Sequence, residues 1–368
     1  MRTLRSTGSP DYTIIFCIAS LVIFGLVMLA SASSHLGKLK FDDSYYYLKH
    51  QLLYGLSIGI IGFLAASKIY YRYYEKIAII LLVISIVLLV LVFTPLGIDS
   101  GGAERWLKLG PLSFQPSETL KIAFIFYLAA WLGNNLKRTK SFGRGFLPFL
   151  IVSAIVSGLL VKQPATSTAA MLMAVGLIIY FVSGARLSYI LAAVTAGVLA
   201  LAIIVLITPY RLTRIMSFLN QDANPQVEGY HINQAKNAIG SGGLWGVGYG
   251  QSTVKVKYLP EPIGDSIFAV VAEEFGFAGS FTLIMVFLIL SFKILWMSRR
   301  VRDKFAQLLL IGFGSLIALQ AFVNIGAISG ILPLTGVPLP FISYGGTALA
   351  VFMTIGGIIV NISKHNIS

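Results

Sequence analysis

The chain has 368 residues, of which 57% are hydrophobic and only 11% charged, where a soluble domain carries roughly 25% charged residues. That balance excludes an ordinary soluble globular protein, and a single cysteine, Cys17, excludes an intrachain disulfide framework. The 28 basic against 14 acidic residues give +14, a surplus read first as membrane topology and not as nucleic-acid binding.

Apolar runs predict an all-α polytopic membrane protein, one integral domain over residues 1–368, with ten transmembrane helices. The runs lie near 12–33, 47–67, 75–94, 117–134, 145–162, 166–183, 187–208, 266–296, 305–332 and 343–362. The first follows Arg2 and Arg5 and ends in Ala30, Ser31 and Ala32, a pattern close to a signal-peptidase site. It is longer than the roughly 7 to 15 residues of a signal-peptide core and similar runs follow it, so it reads as a retained helix. Tyr45 to Tyr47 and Tyr70, Tyr71, Tyr73 and Tyr74 flank the second run as interfacial aromatic belts.

An even number of spans puts both termini on one side. About fifteen Lys and Arg residues then fall on that side and about six in the short loops opposite, so both termini are expected in the cytoplasm. The connection between the seventh and eighth helices, residues 209–265, is by far the longest and falls outside the cytoplasm. Its Tyr210, Phe218, Tyr230, Leu244, Trp245, Tyr249 and Tyr258 predict a segment that folds back over the membrane surface.

Charged residues inside spans are costly, about 2.5 to 3.5 kcal/mol each at mid-helix, and default to functional hypotheses. Glu118 and Lys121, behind Pro116, share a helix face at i, i+3; they read either as a self-neutralising pair or as cavity residues. Glu273 and Glu274 point to different faces of the eighth helix, and their expected work is structural, pairing with a basic or backbone group elsewhere. Asp265 stands where the long loop enters that helix, after Pro260, Pro262 and Gly264 and near Lys255 and Lys257. It reads as an N-cap, which would lower its pKa, or as a reactive carboxylate at the membrane interface.

Other chemistries find no footing. The glycine stretch from Gly240 to Gly250 follows no strand and makes no dinucleotide site. There is no phosphate-binding G-K-[ST], no G-x-S-x-G elbow and no H-E-x-x-H helix. His35, His50, His231 and His365 are scattered, without zinc-ligand spacing.

Several motifs resemble one known family in order along nearly the whole chain. They are Ser100-Gly-Gly-Ala-Glu-Arg-Trp106; Phe114-Gln-Pro-Ser-Glu-Thr-Leu-Lys121; Gly229-Tyr-His-Ile-Asn-Gln-Ala235 with Ala238-Ile-Gly-Ser-Gly-Gly-Leu244; the run from Tyr258-Leu-Pro-Glu-Pro-Ile-Gly-Asp265 to Glu274; and Asn324-Ile-Gly through Leu332 to Gly346. The sequence is similar to the shape, elongation, division and sporulation (SEDS) family. Met28 to Ser34 and Phe218 to Pro225 look more like its division-type branch than its elongation-type branch. One departure stands out: the family's usual Q-P-D-x-G-T is here Gln163-Pro164-Ala165-Thr166-Ser167-Thr168, without the acid.

The resemblance implies a multi-pass protein of the bacterial cytoplasmic membrane. It implies a peptidoglycan glycosyltransferase that polymerises lipid II into β-1,4 glycan strands on the outer face, with a class B penicillin-binding protein and other division or elongation proteins as partners and no nucleic acid. It assigns Asp265 as the catalytic residue and puts Arg105, Glu118 and Lys121 near the central cavity. Glu261, Glu274, Gln163 and Ser343 are expected as structural or cavity residues. The expected step is an inverting displacement, with Asp265 as general base on the acceptor hydroxyl and a polyprenyl pyrophosphate leaving. Arg105, Lys121, Arg211, Arg214, Lys255 and Lys257 are the candidate cations for the substrate, and Glu118 joins them as a substrate-binding candidate. Metal use is open: a divalent ion, magnesium or manganese, would bridge substrate phosphates and one or two carboxylates. The competing readings are a lipid II flippase, which would lean on Glu118, Lys121 and Glu274 more than on Asp265, and a scaffold that only recruits its partner.

Overall fold

In a lipid environment the helix satisfies every backbone polar group within its own segment, and this chain takes that route almost throughout. The computed structural model describes residues 8–99, 104–109, 112–133, 138–219, 228–257 and 259–366. Residues 100–103, 220–225 and Tyr258 of the family-like motifs lie outside these, as do the side chains of Tyr210 and Lys257.

The helices, in chain order, are α1 (Tyr12–Phe41), α2 (Tyr46–Lys68), α3 (Arg72–Leu91), α4 (Pro116–Gly133), α5 (Phe142–Lys162), α6 (Thr166–Val182), α7 (Leu187–Ile207), α8 (Pro209–Leu219), α9 (Glu228–Ser241), α10 (Val254–Lys257), α11 (Ile267–Arg300), α12 (Lys304–Ile328) and α13 (Gly346–Asn366). Every one of the ten expected stretches is helical. Eight helices among the described residues are long and apolar enough to cross a membrane, namely α1, α2, α3, α5, α7, α11, α12 and α13. The other two expected spans are α4, which carries Glu118 and Lys121, and the apolar 17-residue α6. The polytopic membrane class therefore holds.

The all-α expectation needs one correction. Between α3 and α4 stands a small antiparallel sheet of β1 (Gly97–Asp99), β2 (Glu104–Leu109) and β3 (Leu112–Phe114), in the order β1-β2-β3. Trp106 pairs with Ile98, and Lys108 with Ser113. Strands this short carry too few alternating positions to stand out in a sequence dominated by apolar runs.

Burial runs in the pattern expected of a bundle in lipid. In α7 only Ala193 is buried, so its leucines, isoleucines and valines face outward all round. By contrast α12 is buried along most of its length and forms the centre of the bundle. Contact between α2 and α13 is close because glycines line it: a side chain at Gly357 would run into the backbone of Phe63, and one at Gly59 into Met353.

At one end of the bundle the first and last described segments meet, with Gly8 N donating to Lys364 O at 2.9 Å. Asp11 caps α1 through Thr13 N at 3.1 Å, its own amide donates to Ser363 Oγ at 3.1 Å, and its carboxylate pairs with Lys293 at 3.1 Å. Asn361 accepts from Tyr71 N at 3.0 Å and donates to Ser67 O at 3.0 Å, while Asp303 takes Tyr71 Oη at 2.7 Å and Arg72 Nε at 3.0 Å. The opposite end carries the sheet, α8 to α10 and Asp265.

Helix α11 departs from a continuous rod. Gly276 takes φ 63° and ψ −161° in its interior, a conformation open only to glycine. The backbone groups freed there are met by the glycine-rich loop after α9. Val247 N donates to Glu273 O at 2.9 Å and Gly248 N to Glu274 O at 3.1 Å, while Phe277 N donates to Gly243 O at 2.8 Å and Ala278 N to Leu244 O at 3.1 Å. A side chain at Gly246 would strike the Glu274 carbonyl. The glycines discounted as a nucleotide site thus have a structural role, letting a loop be spliced into a broken helix.

Candidate active site

Asp265 closes the turn that leads into α11. Pro260 and Pro262 remove two backbone donors from this turn, and those that remain are used locally: Gly264 N donates to Glu261 O at 3.0 Å and Ser266 N to the same carbonyl at 3.3 Å. The turn is then held from outside. Tyr344 N donates to Ile263 O at 2.8 Å, Ser343 Oγ to Gly264 O at 2.7 Å, and Asn324 Nδ2 of α12 to Asp265 O at 2.8 Å. Ser343 is itself fixed by Leu339 N at 2.8 Å, and Asn324 also donates to Val337 O at 2.7 Å. Hydrogen bonds thus fix three successive carbonyls, from Ile263 to Asp265, which sets the height and direction of the carboxylate.

The cap expectation is corrected here. Ser266 occupies the N-cap position of α11, with no side-chain cap bond. The Asp265 carboxylate has Ser266 Oγ as a weak donor at 3.4 Å, with the backbone amides of Asp265 and Ser266 also acting on it. It faces Gly336, where a β-carbon would lie 3.8 Å from Oδ2. Burial pushes its pKa from 3.8 up to about 6, and the nearby Arg214 guanidinium pulls in the opposite direction without cancelling the rise. Near neutral pH such a group is mostly ionised and still a stronger base than an exposed aspartate.

The expected cations divide by position. Arg214 of α8 acts on Asp265 electrostatically and reaches Leu334 O at 3.5 Å. Arg211, about one turn away, is occupied elsewhere, donating to Thr208 Oγ1 at 3.0 Å and Val161 O at 3.0 Å. Arg105 projects from β2 to Gln163 O at 3.1 Å and Pro164 O at 2.7 Å, and Gln163 donates to Leu89 O at 3.0 Å. These bonds dock the sheet on the α5–α6 connection, the place where Ala165 stands without the family's acid.

Lys255 is placed differently from its expectation as a substrate cation. Its ammonium group is buried, 2.6 Å from Glu274 Oε1, 2.7 Å from Ser31 Oγ and 3.0 Å from Gly250 O. Glu274 is its counter-ion. Glu273 accepts from Ser252 Oγ and from Thr253 N at 3.0 Å, holding the approach to α10. Both carboxylates are therefore held by groups of the 252–255 segment. Glu118 and Lys121 form a buried pair at 2.7 Å, with Lys121 also reaching Gln320 Oε1 at 3.1 Å and Gln320 donating to Pro338 O at 2.9 Å. The self-neutralising reading of that pair is the one the geometry favours. Glu261 is exposed, at φ 48°.

Two neighbours escape a reading of the sequence. Asn324 was visible only as the start of a motif, yet it ties Asp265 to the 337–344 loop. His231 Nε2 lies 2.6 Å from Ser266 Oγ, joining α9 to the residue beside the carboxylate. The only sequence signal for His231 was a polar residue inside the Gly229–Ala235 motif.

Comparison with known proteins identifies the lineage. The family model FtsW/RodA/SpoVE, described as cell cycle protein, matches residues 11–368. The chain belongs to this family. It is 38% identical over 354 residues to a probable peptidoglycan glycosyltransferase FtsW of Trichlorobacter lovleyi, covering 96% of this chain and 93% of that one. It is 36% identical over 359 residues to stage V sporulation protein E of Bacillus subtilis, covering 97% and 98%. Among solved structures it superposes with TM-score 0.80 and 25% identity on a chain of a peptidoglycan synthase complex, covering 96% and 97%. It superposes with TM-score 0.72 and 25% identity on the rod shape determining protein RodA of Thermus thermophilus, covering all of both chains. The SEDS resemblance read from the motifs, and the lean toward FtsW, agree with these matches.

Proposed function

We propose that the chain is a division-type peptidoglycan glycosyltransferase that joins lipid II units into β-1,4 glycan strands at the outer face of the bacterial cytoplasmic membrane. The observation that carries the reading is Asp265: a carboxylate fixed by three neighbouring carbonyl bonds and raised to about 6, where a general base for neutral pH is wanted. Its family membership and the names of its relatives give the reaction; Asp265 gives this chain a residue to perform it.

In this reading ten helices cross the membrane, α1 to α7 and α11 to α13, with both termini in the cytoplasm, and the Asp265 end faces outward. A donor sugar there has to come on a lipid, since nucleotide sugars are confined to the cytoplasm. Asp265 accepts the proton of the acceptor's 4-hydroxyl as its oxygen bonds to the donor's anomeric carbon. The bond from that carbon to the lipid pyrophosphate breaks with its electron pair, and an α-linked donor becomes a β-linked product. Arg214 is the cation best situated to meet the departing charge.

Among the described residues no three His, Cys, Asp or Glu side chains converge, so the residues present do not form a protein-held metal site and no step is routed through one. An ion carried in by the substrate phosphates would be detected as a divalent-cation requirement of turnover. The partner expected is a class B penicillin-binding protein, which supplies the crosslinking.

Transport is the rival activity. Against it, Glu118 and Glu274 each already hold a lysine. Reconstitution in liposomes with labelled lipid II separates the two. Polymer formed with the partner present, without movement of label across the bilayer, supports the polymerase; transbilayer movement without polymer would overturn it.

A further inference from the structure

Beside the Asp265 turn, on the face formed by Glu261 to Gly264, lies a cavity of about 570 Å³. That is within the range of small-molecule sites, about 300 to 1,000 Å³. Its walls come from α1, α2, the small sheet, the 255–264 segment and the start of α13. None of the substrate-binding residues expected from the sequence opens into it except Lys255, whose charge is paired with Glu274.

Its lining has a particular chemistry. Tyr47, Tyr54, Trp106 and Tyr344 all border it, each half-buried. Trp106 is turned to it by the period-two alternation of β2, because its neighbour Arg105 is tied down at Gln163 and Pro164. The sheet is held over the cavity at its other side too, with Gln115 N donating to Thr347 Oγ1 at 3.4 Å. Gln51 is only 2% exposed, and its Oε1 accepts Gly345 N at 3.1 Å. No hydrogen bond from its Nε2 is seen among the described residues, and Gln51 borders the cavity. Gln51 also opens a π-helical turn, Gln51–Leu56, within α2, a local widening often found where a helix presents side chains to a ligand.

Exposed Lys40 and Glu261 and half-buried His35 and His50 border it as well, so aromatic faces are joined by hydrogen-bonding groups of both signs and none, a mixture that suits one ligand class better than the others. An anion would need an uncommitted buried cation, and the buried one here is paired. An acyl chain would leave the Gln51 amide unsatisfied, at a cost of about 1 to 3 kcal/mol. A pyranose ring offers both matching surfaces: C–H faces to lie on the rings, and hydroxyl or acetamido groups for Gln51 and Glu261.

We propose that this cavity is a saccharide subsite that holds a segment of the glycan strand beside the Asp265 turn, with Trp106 as its stacking platform and Gln51 as its buried amide donor. The proposal rests on the reading of the chain as a glycan polymerase and adds where the sugar is held.

The test is direct binding of peptide-free, uncross-linked glycan fragments to the full chain in nanodiscs, without turnover. Wild type is expected to bind them, Trp106→Ala to bind at least tenfold more weakly, and Trp106→Phe to keep most of the affinity. Gln51→Ala should lose several-fold, and Asp265→Asn should bind as wild type does. Thermal melting of each variant identifies any that fail to fold, and Trp106→Phe with Asp265→Asn remain informative if the alanine variants do. Equal binding by folded Trp106→Ala and Gln51→Ala would overturn the subsite. So would displacement of the fragment by free stem peptide or by inorganic pyrophosphate, since either would assign the cavity to another part of the substrate. If wild type makes no polymer yet binds glycan through Trp106, the polymerase reading fails while the subsite stands. Polymer made with Trp106-independent binding reverses that result.

Discussion

Replacing Asp265 by asparagine should make the protein more stable, and by an amount that depends on pH. The substitution keeps the shape of the side chain and removes its charge. The carboxylate titrates at about 6 in the folded chain against 3.8 for an unperturbed aspartate. The difference is about 2.2, and at about 1.4 kcal/mol for each pH unit the folded state pays about 3 kcal/mol to keep the group ionised. The sign follows from where the protons sit. Below about pH 4 the carboxyl is protonated folded and unfolded, and no cost exists. Between about 4 and 6 the unfolded chain ionises first, and the cost grows. Above about 6 both states are ionised and the full cost is present. Thermal melting of the two proteins in nanodiscs from pH 4 to pH 8 should show Asp265→Asn melting higher at pH 7.5, with the gap closing toward pH 4. A gap that ignores pH, or a more stable wild type at pH 7.5, would refute the argument that burial controls this carboxylate.

Arg214→Gln removes the charge that holds the Asp265 pKa down, so the acidic limb of the pH–rate profile should move to higher pH, while a limb that stays put would remove Arg214 from the site's electrostatics. Lys255→Met leaves Glu274 buried without its counter-ion and should cost about 3 to 5 kcal/mol; the double change Lys255→Met with Glu274→Leu should recover most of that in a melting assay. Gly276→Ala puts a β-carbon at φ 63° and 2.7 Å from the Leu244 carbonyl carbon, so folded protein recovered from membranes should fall sharply. Gly197→Ala, on α7 with nothing within 4 Å, should be tolerated or mildly stabilising.

The spanning helices were legible because an apolar run of about 20 residues has few other uses. Asp265 was legible because a carboxylate between a proline-rich turn and a membrane helix is expensive enough to need a reason. Glu273 and Glu274 stood out in the sequence for the same reason, and the structure shows the partners that hold them. Lys255 was not, because its burial depends on how the 242–250 loop enters the break at Gly276, and no local pattern announces a broken helix repaired by a distant segment. Asn324 and His231 meet the Asp265 turn only through tertiary packing: Asn324 sits on the buried α12 and His231 on α9, outside any periodic signal. The small sheet was missed because strands of three to six residues leave almost no alternation to read.

The central claim is that Asp265 is the base of a glycan polymerase. Its most direct test is strand formation from lipid II by purified protein with its class B penicillin-binding partner, comparing wild type with Asp265→Asn and Asp265→Ala after melting curves show all three folded. Polymer from wild type that is lost in both variants is the predicted result. Polymer made by either variant at the wild-type rate would contradict it.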